Sequence, residues 1–222
     1  MRGLFRMAMS RLYKPVLERY LRKDRTWRYN GFRMDIANSV FHPAFFGSSR
    51  VFAWFIKRQD LSGKTLLEIG CGSGLLSMVA AAGKAVVTAV DINEKAVECA
   101  RQNAKINGLE MTVIHSDLFE KAPLQQFDLI ICNPPYFPAE PKNPGAYAWY
   151  CEDDFGFFRR FFAAIPAFIH PHSRIWLILS EVCRLDAISA VAEEAGFRLK
   201  KILTEQSQFE IFIIFEAERN TA

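Results

Sequence analysis

The run Phe127-Asp128-Leu129-Ile130-Ile131-Cys132-Asn133-Pro134-Pro135-Tyr136 joins a strand-like apolar segment to four residues of unusual chemical capacity. The Asn133 side-chain oxygen and the Pro134 carbonyl can each accept one N–H of an NH2 group. Proline has no N–H and a fixed φ, so Pro134 and Pro135 hold those acceptors in place before anything binds. Tyr136 adds a flat face on which a planar group can stack. A carboxamide or aromatic amine nitrogen is a poor nucleophile, because its lone pair is delocalised into the attached π-system. Two acceptors on its hydrogens leave nitrogen electron density free to meet an electrophile. The plain alternative is a rigid proline turn that closes a strand.

Three further sites precede this one in order along the chain. Glu68-Ile69-Gly70-Cys71-Gly72-Ser73-Gly74 stands where a strand meets a helix. Glycine there lets the backbone turn tightly and approach a ligand, and the following helix offers unpaired N–H groups. Dinucleotide dehydrogenases use a related turn, but here the spacing is G-x-G-x-G, Leu75 follows, and an acid precedes the first glycine. Asp91 lies seventeen residues past Gly74, at the end of a second strand. It can accept both hydroxyls of a ribose with Ile92 against a purine, or it can cap the next helix, for which Asn93 is the better residue. Asp117 follows a third strand and can accept an exocyclic adenine amine, with Leu118 beside the ring.

In this order the motifs resemble those of class I S-adenosylmethionine (SAM)-dependent methyltransferases that modify amide or exocyclic nitrogens, whose signature is Asn-Pro-Pro-Tyr after the fourth strand. The resemblance covers roughly Leu61 to Glu218. It implies that Glu68, Gly70, Cys71, Gly72, Gly74, Asp91, Ile92, Asp117, Leu118 and Asn133 bind SAM, with S-adenosylhomocysteine as product. It also implies that Asn133, Pro134, Pro135 and Tyr136 form the catalytic loop, with no metal.

The elements that must position these residues alternate between strand and helix patterns. Thr65–Ile69, Ala85–Val90, Met111–His115, Phe127–Cys132 and Arg174–Leu179 read as buried strands. Leu75–Ala82, Glu94–Asn107, Asp154–Phe168 and Cys183–Ala195 read as helices, and strands around Arg198–Leu203 and Phe209–Glu216 close the chain. Continuous Val/Ile/Leu runs between helices predict an α/β domain with a mostly parallel sheet covered on both faces. The resemblance implies seven Rossmann-like strands in the order 3-2-1-4-5-7-6, with strand 7 antiparallel. The expected division is 61–222 for this domain and 1–60 for an extension.

That extension reads as a helix over Leu4–Leu21, a hairpin turning at Asn30-Gly31, and a linking helix over Ser48–Ile56. Asn-Gly suits the positive φ of a type I′ turn. The first helix could also be a transit peptide or a membrane-surface helix, although Pro15 interrupts it. Residues 1–33 carry ten Lys/Arg against Glu18 and Asp24, whereas the whole chain of 222 residues is only +4. An anionic partner, nucleic acid or the ribosome, would be drawn to that end, unless it is an ordinary solvated face.

Five cysteines without a CxxC pair imply reduced thiols in a cytoplasmic protein, with neither disulfides nor a zinc site. His170 and His172 flank Pro171 as a connection rather than a metal site. No apolar stretch reaches the roughly 18 to 20 residues of a membrane span.

Glutamine side chains, adenine N6 and guanine N2 share the shape that the loop would grip. The stretch Tyr150–Phe162, acids and Gly156 leading into aromatics and Arg, resembles the corresponding region of release-factor glutamine methyltransferases. Its glycine sits later than in that family, and the larger substrate-gripping helical domain is replaced by about sixty residues. Ser48 and Ser49 are expected near the cofactor's carboxylate. The macromolecular substrate is thus a protein such as a translation factor, or RNA or DNA. A small-molecule N-methyltransferase or a non-catalytic SAM-binding module remains an alternative.

Overall fold

Apolar runs with no polar alternation can be buried only if both faces of their sheet are covered. In the computed structural model, which describes residues 23–45, 47–142, 144–207 and 210–220, that is their arrangement. Five parallel strands, β3 (Thr65–Ile69), β4 (Val86–Asp91), β5 (Thr112–His115), β6 (Phe127–Cys132) and β7 (Ile169–Ser180), join β8 (Phe197–Ser207) and β9 (Glu210–Arg219). The sheet order is β5-β4-β3-β6-β7-β9-β8, with β9 antiparallel to both neighbours. Successive residues feed opposite layers. Leu67, Ile130 and Leu177 pack with the phenylalanines of α4 (Gly156–Ala164) and with α5 (Leu185–Glu194). Leu66, Ile131 and Ile178 pack with α1 (Gly47–Ile56) and α2 (Leu75–Ala82). Phe158, Phe161 and Phe162 of α4 are fully buried, each contributing about 2–3 kcal/mol.

The hairpin of β1 (Arg25–Tyr29) and β2 (Phe32–Ile36) turns at Asn30 and Gly31, whose φ values are 46° and 89°. It docks on α3 (Glu94–Ile106) and its C-cap through asparagines four residues apart. Asn107 accepts from Arg33 N at 3.0 Å and donates to Arg33 O at 2.7 Å. Asn103, fully buried, accepts from Asp35 N at 2.8 Å and donates to Ser73 O at 2.9 Å. The same side chain therefore ties the hairpin to the glycine-rich turn. Met34 and Ile36 enter the α1–α2 layer of the core.

Two expectations change in detail. The aromatic helix expected over Asp154–Phe168 is broken into a 3-10 turn (Asp153–Phe155), α4, and a second 3-10 turn (Ile165–Phe168). Its start is displaced because Asp154 and Phe155 take left-handed φ values of 53° and 58°. His170 and His172 belong to the irregular start of β7, where the register jumps from Phe127↔Ile169 to Leu129↔Arg174. The helix expected over Leu4–Leu21, with its four Lys/Arg, lies outside the described residues.

Candidate active site

The carboxyl ends of β3, β4, β5 and β6 lie side by side, so the four motifs open into one cavity. Glu68, Gly70, Cys71, Gly72, Asp91, Ile92, Asp117, Leu118 and Asn133–Tyr136 all line it. Gly74 does not. Its φ is 84°, and a Cβ there would lie 3.0 Å from Ala100 Cβ, so this glycine serves the packing of α2 against α3. Gly70, φ 75°, has nothing within 4 Å of where a Cβ would be.

Asp91 is bound into the backbone on both sides. Its Oδ2 accepts from Gly72 N and its Oδ1 from Asn93 N, each at 2.8 Å. Asn93 caps α3 by accepting from Lys95 N at 3.1 Å. The capping duty weighed for Asp91 thus falls to Asn93, while Asp91 anchors the glycine turn.

At the end of β6 the amide of Asn133 is held by α1. Its Nδ2 donates to Ser48 Oγ at 3.2 Å and to Ser49 Oγ at 3.1 Å. Those serines line the same cavity, and the side-chain contact they make is to Asn133. Among the described residues the Asn133 Oδ1 is left as the uncommitted end of the amide. Tyr136 lies beside it, half-buried and edge-on to Phe137 at 4.9 Å. Burial pushes its hydroxyl above the usual tyrosine range.

A roof forms from two distant segments. Phe137 N donates to Trp149 O at 3.0 Å and Cys151 N to Phe137 O at 2.9 Å, which folds the 138–150 loop back. Trp149 meets Phe41 with ring centroids 5.2 Å apart. Both rings, with Val40, Pro43, Tyr147 and Tyr150, line the cavity. The sequence did not foretell the clamp on the wall that Asp117 forms. Arg160 donates to Asp117 Oδ2 at 2.8 Å and, through its other Nη, to Glu152. Only the Arg content of α4 hinted at it.

With this geometry in view, comparison with known proteins identifies the chain. A family model described as the methyltransferase small domain matches residues 42–149. A Methanocaldococcus jannaschii protein bearing the name protein N5-glutamine methyltransferase is 30% identical over 166 residues, which cover 72% of this chain and 84% of that one. The chain belongs to the SAM-dependent methyltransferases. A Pedobacter heparinus tRNA1(Val) (adenine(37)-N6)-methyltransferase is 33% identical over 120 residues, 51% of either chain. The T. thermophilus 16S rRNA N2 G1207 methyltransferase, solved with AdoMet and guanosine, shares the fold with a TM-score of 0.66. That likeness, at 18% identity, covers 89% of this chain and 50% of the other.

The methyltransferase acts on nitrogen with SAM as cofactor, and the electrostatics of its cavity suit a cationic ligand. Glu68 is 1% exposed and receives the Ser77 hydroxyl. Burial raises its carboxyl to about 8, and burial also raises Asp91, against the opposing effect of its two backbone N–H bonds. Two acids that ionise reluctantly beside open glycine backbone favour a positively charged guest, because it restores their charge. The five cysteines of the methyltransferase are free and buried, including Cys71 and Cys132 at the cavity. No group of His, Cys, Asp and Glu able to hold a metal occurs among the described residues. Among those residues no helix is long and apolar enough to cross a membrane.

Proposed function

We propose that this methyltransferase N-methylates a glutamine side-chain amide in a protein. The observation that carries the reading is the Asn133 amide, whose N–H groups are occupied by Ser48 and Ser49. Its Oδ1 and the Pro134 carbonyl then accept the two hydrogens of a substrate NH2 and hold that nitrogen against rotation. Tyr136 stacks on the planar amide. SAM supplies the methyl group, already activated by its positive sulfur. Asp91 takes the ribose hydroxyls on its remaining lone pairs, and Ile92 and Leu118 flank the purine. Asp117 takes the adenine amine through the oxygen that Arg160 leaves free. Glu68, Gly70, Cys71 and Gly72 line the stretch towards Asn133.

Glutamine is favoured by the charge around the opening. Between Phe137 and Arg160 stand Glu140, Glu152, Asp153 and Asp154, while Arg159 and Arg160 are committed to ion pairs. Lys142 is the one cation left there among the described residues, a poor match to a phosphate backbone. The Methanocaldococcus relative, matched over most of its length, supports the same substrate.

A second reading, an exocyclic amine of a base in RNA or DNA, has its own support. Phe137, Tyr147 and Tyr150 are 39%, 36% and 39% exposed at the opening and could stack on bases. The basic residues 1–33 could hold nucleic acid or a ribosome. In either case residues 61–222 carry the motifs, residues 1–60 add Ser48 and Ser49 to the cavity and a surface for substrate or partner, and the setting is cytoplasmic. The test is transfer of radiolabelled methyl from SAM into a cell extract. Protease-sensitive label recovered as N5-methylglutamine supports the proposal; label released by nuclease selects the second reading.

A further inference from the structure

The serines that hold Asn133 have a second capacity. Ser48 and Ser49 are 3% and 6% exposed, in the first turn of α1, and both line the cavity. A hydroxyl carries one proton and two lone pairs. Each hydroxyl accepts from Asn133 Nδ2, and neither gives its own proton to a protein acceptor among the described residues. The cavity is therefore the outlet for both protons. The first backbone N–H groups of a helix also lack intrahelical partners and favour an anion nearby. Glycine at position 47 lets this helix start sit close against β8 and β9, since a Cβ there would lie 2.5 Å from the Phe212 ring and 2.9 Å from Ser207 Oγ.

Position along the sheet suggests which anion. Asp117 follows β5 and Asn133 follows β6, three strand spacings away in the order β5-β4-β3-β6, or about 14 Å. A ligand whose purine lies at Asp117 extends its other end towards Asn133 and α1. In SAM that end carries a carboxylate.

We propose that Ser48 and Ser49 form a hydrogen-bond relay through which the carboxylate of bound SAM sets the orientation of the Asn133 amide. The carboxylate accepts the hydroxyl protons. The hydroxyl lone pairs are then obliged to accept the Asn133 N–H groups, and Oδ1 faces the incoming NH2. Without the carboxylate each hydroxyl is free to turn and donate to Oδ1, and the amide can flip. Ser48 and Ser49 are thus positioning residues, and the acceptor site is complete only after the cofactor has bound. This inference rests on the reading of the cavity as a SAM site.

The test uses the full chain and needs no methyl acceptor. The Asn133 side-chain NH2 signals are followed by 15N–1H NMR and assigned by their loss in Asn133→Asp. S-adenosylhomocysteine is compared with its decarboxylated analogue, and binding of each is measured by calorimetry. S-adenosylhomocysteine is expected to slow exchange of the Asn133 amide protons by about tenfold or more, as a charge-assisted chain of bonds requires. The decarboxylated analogue should bind yet leave exchange within about twofold of the ligand-free rate, and so should S-adenosylhomocysteine on Ser48→Ala/Ser49→Ala. Equal protection by both ligands, or full protection in the double variant, overturns the relay while leaving the SAM site intact. Failure of S-adenosylhomocysteine to bind overturns both. Should the double variant fail to fold, the comparison of the two ligands on the wild-type chain decides alone.

Discussion

Asp91 accepts the Gly72 N–H at 2.8 Å, so the acid ending β4 fixes the glycine turn that ends β3. Removing the carboxylate would therefore both strip a ribose acceptor and release the turn. Asp91→Ala is expected to weaken SAM binding by about 100-fold and Asp91→Asn, which keeps one acceptor, by about tenfold. Calorimetry on both variants checks this, and unchanged affinity in the alanine variant contradicts the ribose role.

Asn133→Ala should separate binding from chemistry. SAM affinity stays within about threefold of wild type, while methyl transfer falls by about 100-fold or more, the usual cost of deleting a preorganised hydrogen-bonding group. Single-turnover transfer with labelled SAM measures it. A fully active alanine variant would remove the acceptor model.

Glu68 predicts two pH effects. Its folded carboxyl titrates at about 8 against an ordinary 4.5. Between those values the folded chain keeps a proton that the unfolded chain has lost, so this group's contribution to stability declines as pH rises through that window. Glu68→Gln should flatten the decline, seen as a Tm that varies less from about pH 5 to 8. A cationic sulfonium also favours the ionised acid. The affinity for SAM relative to uncharged-sulfur S-adenosylhomocysteine should thus climb from about pH 6 to 9, and parallel curves would contradict it.

Arg160→Met should loosen Asp117 and Glu152 together. SAM affinity drops several-fold, whereas the change in folding stability stays below about 1 kcal/mol, because the pairs are partly solvated. Urea titration alongside calorimetry distinguishes the two effects; a large loss of stability with normal SAM affinity would refute the clamp.

Asn103→Ala should cost about 2–3 kcal/mol, since it leaves the Asp35 N–H and the Ser73 carbonyl without their partner. Hydrogen exchange of β2 amides should rise with it. An unchanged denaturation midpoint would show that the hairpin is held by its apolar residues alone.

The strands were legible because both of their faces are buried, which leaves runs such as Leu129–Cys132 without polar interruption. The Asn30-Gly31 turn was legible because few other pairs tolerate two positive φ values. The break before α4 was not. Its aromatics keep helical spacing, while the turn depends on positive φ at Glu152, Asp154 and Phe155, of which only Asp is a residue type that favours it. The packing role of Gly74 was not legible, because local sequence cannot show that Ala100 occupies the space behind it. The Ser48–Asn133 and Arg160–Asp117 contacts join positions 85 and 43 residues apart, beyond any periodicity.

The meeting of Phe41 with Trp149 gives the cavity a ceiling built by chain on either side of the glycine turn. A fragment starting at Leu61 could retain every motif residue and all seven strands of the main sheet. It would nevertheless lack the Phe41 half of that ceiling and leave the trough more open to water. Sequence motifs alone thus describe the floor of this enzyme, and part of its shelter is supplied from outside them.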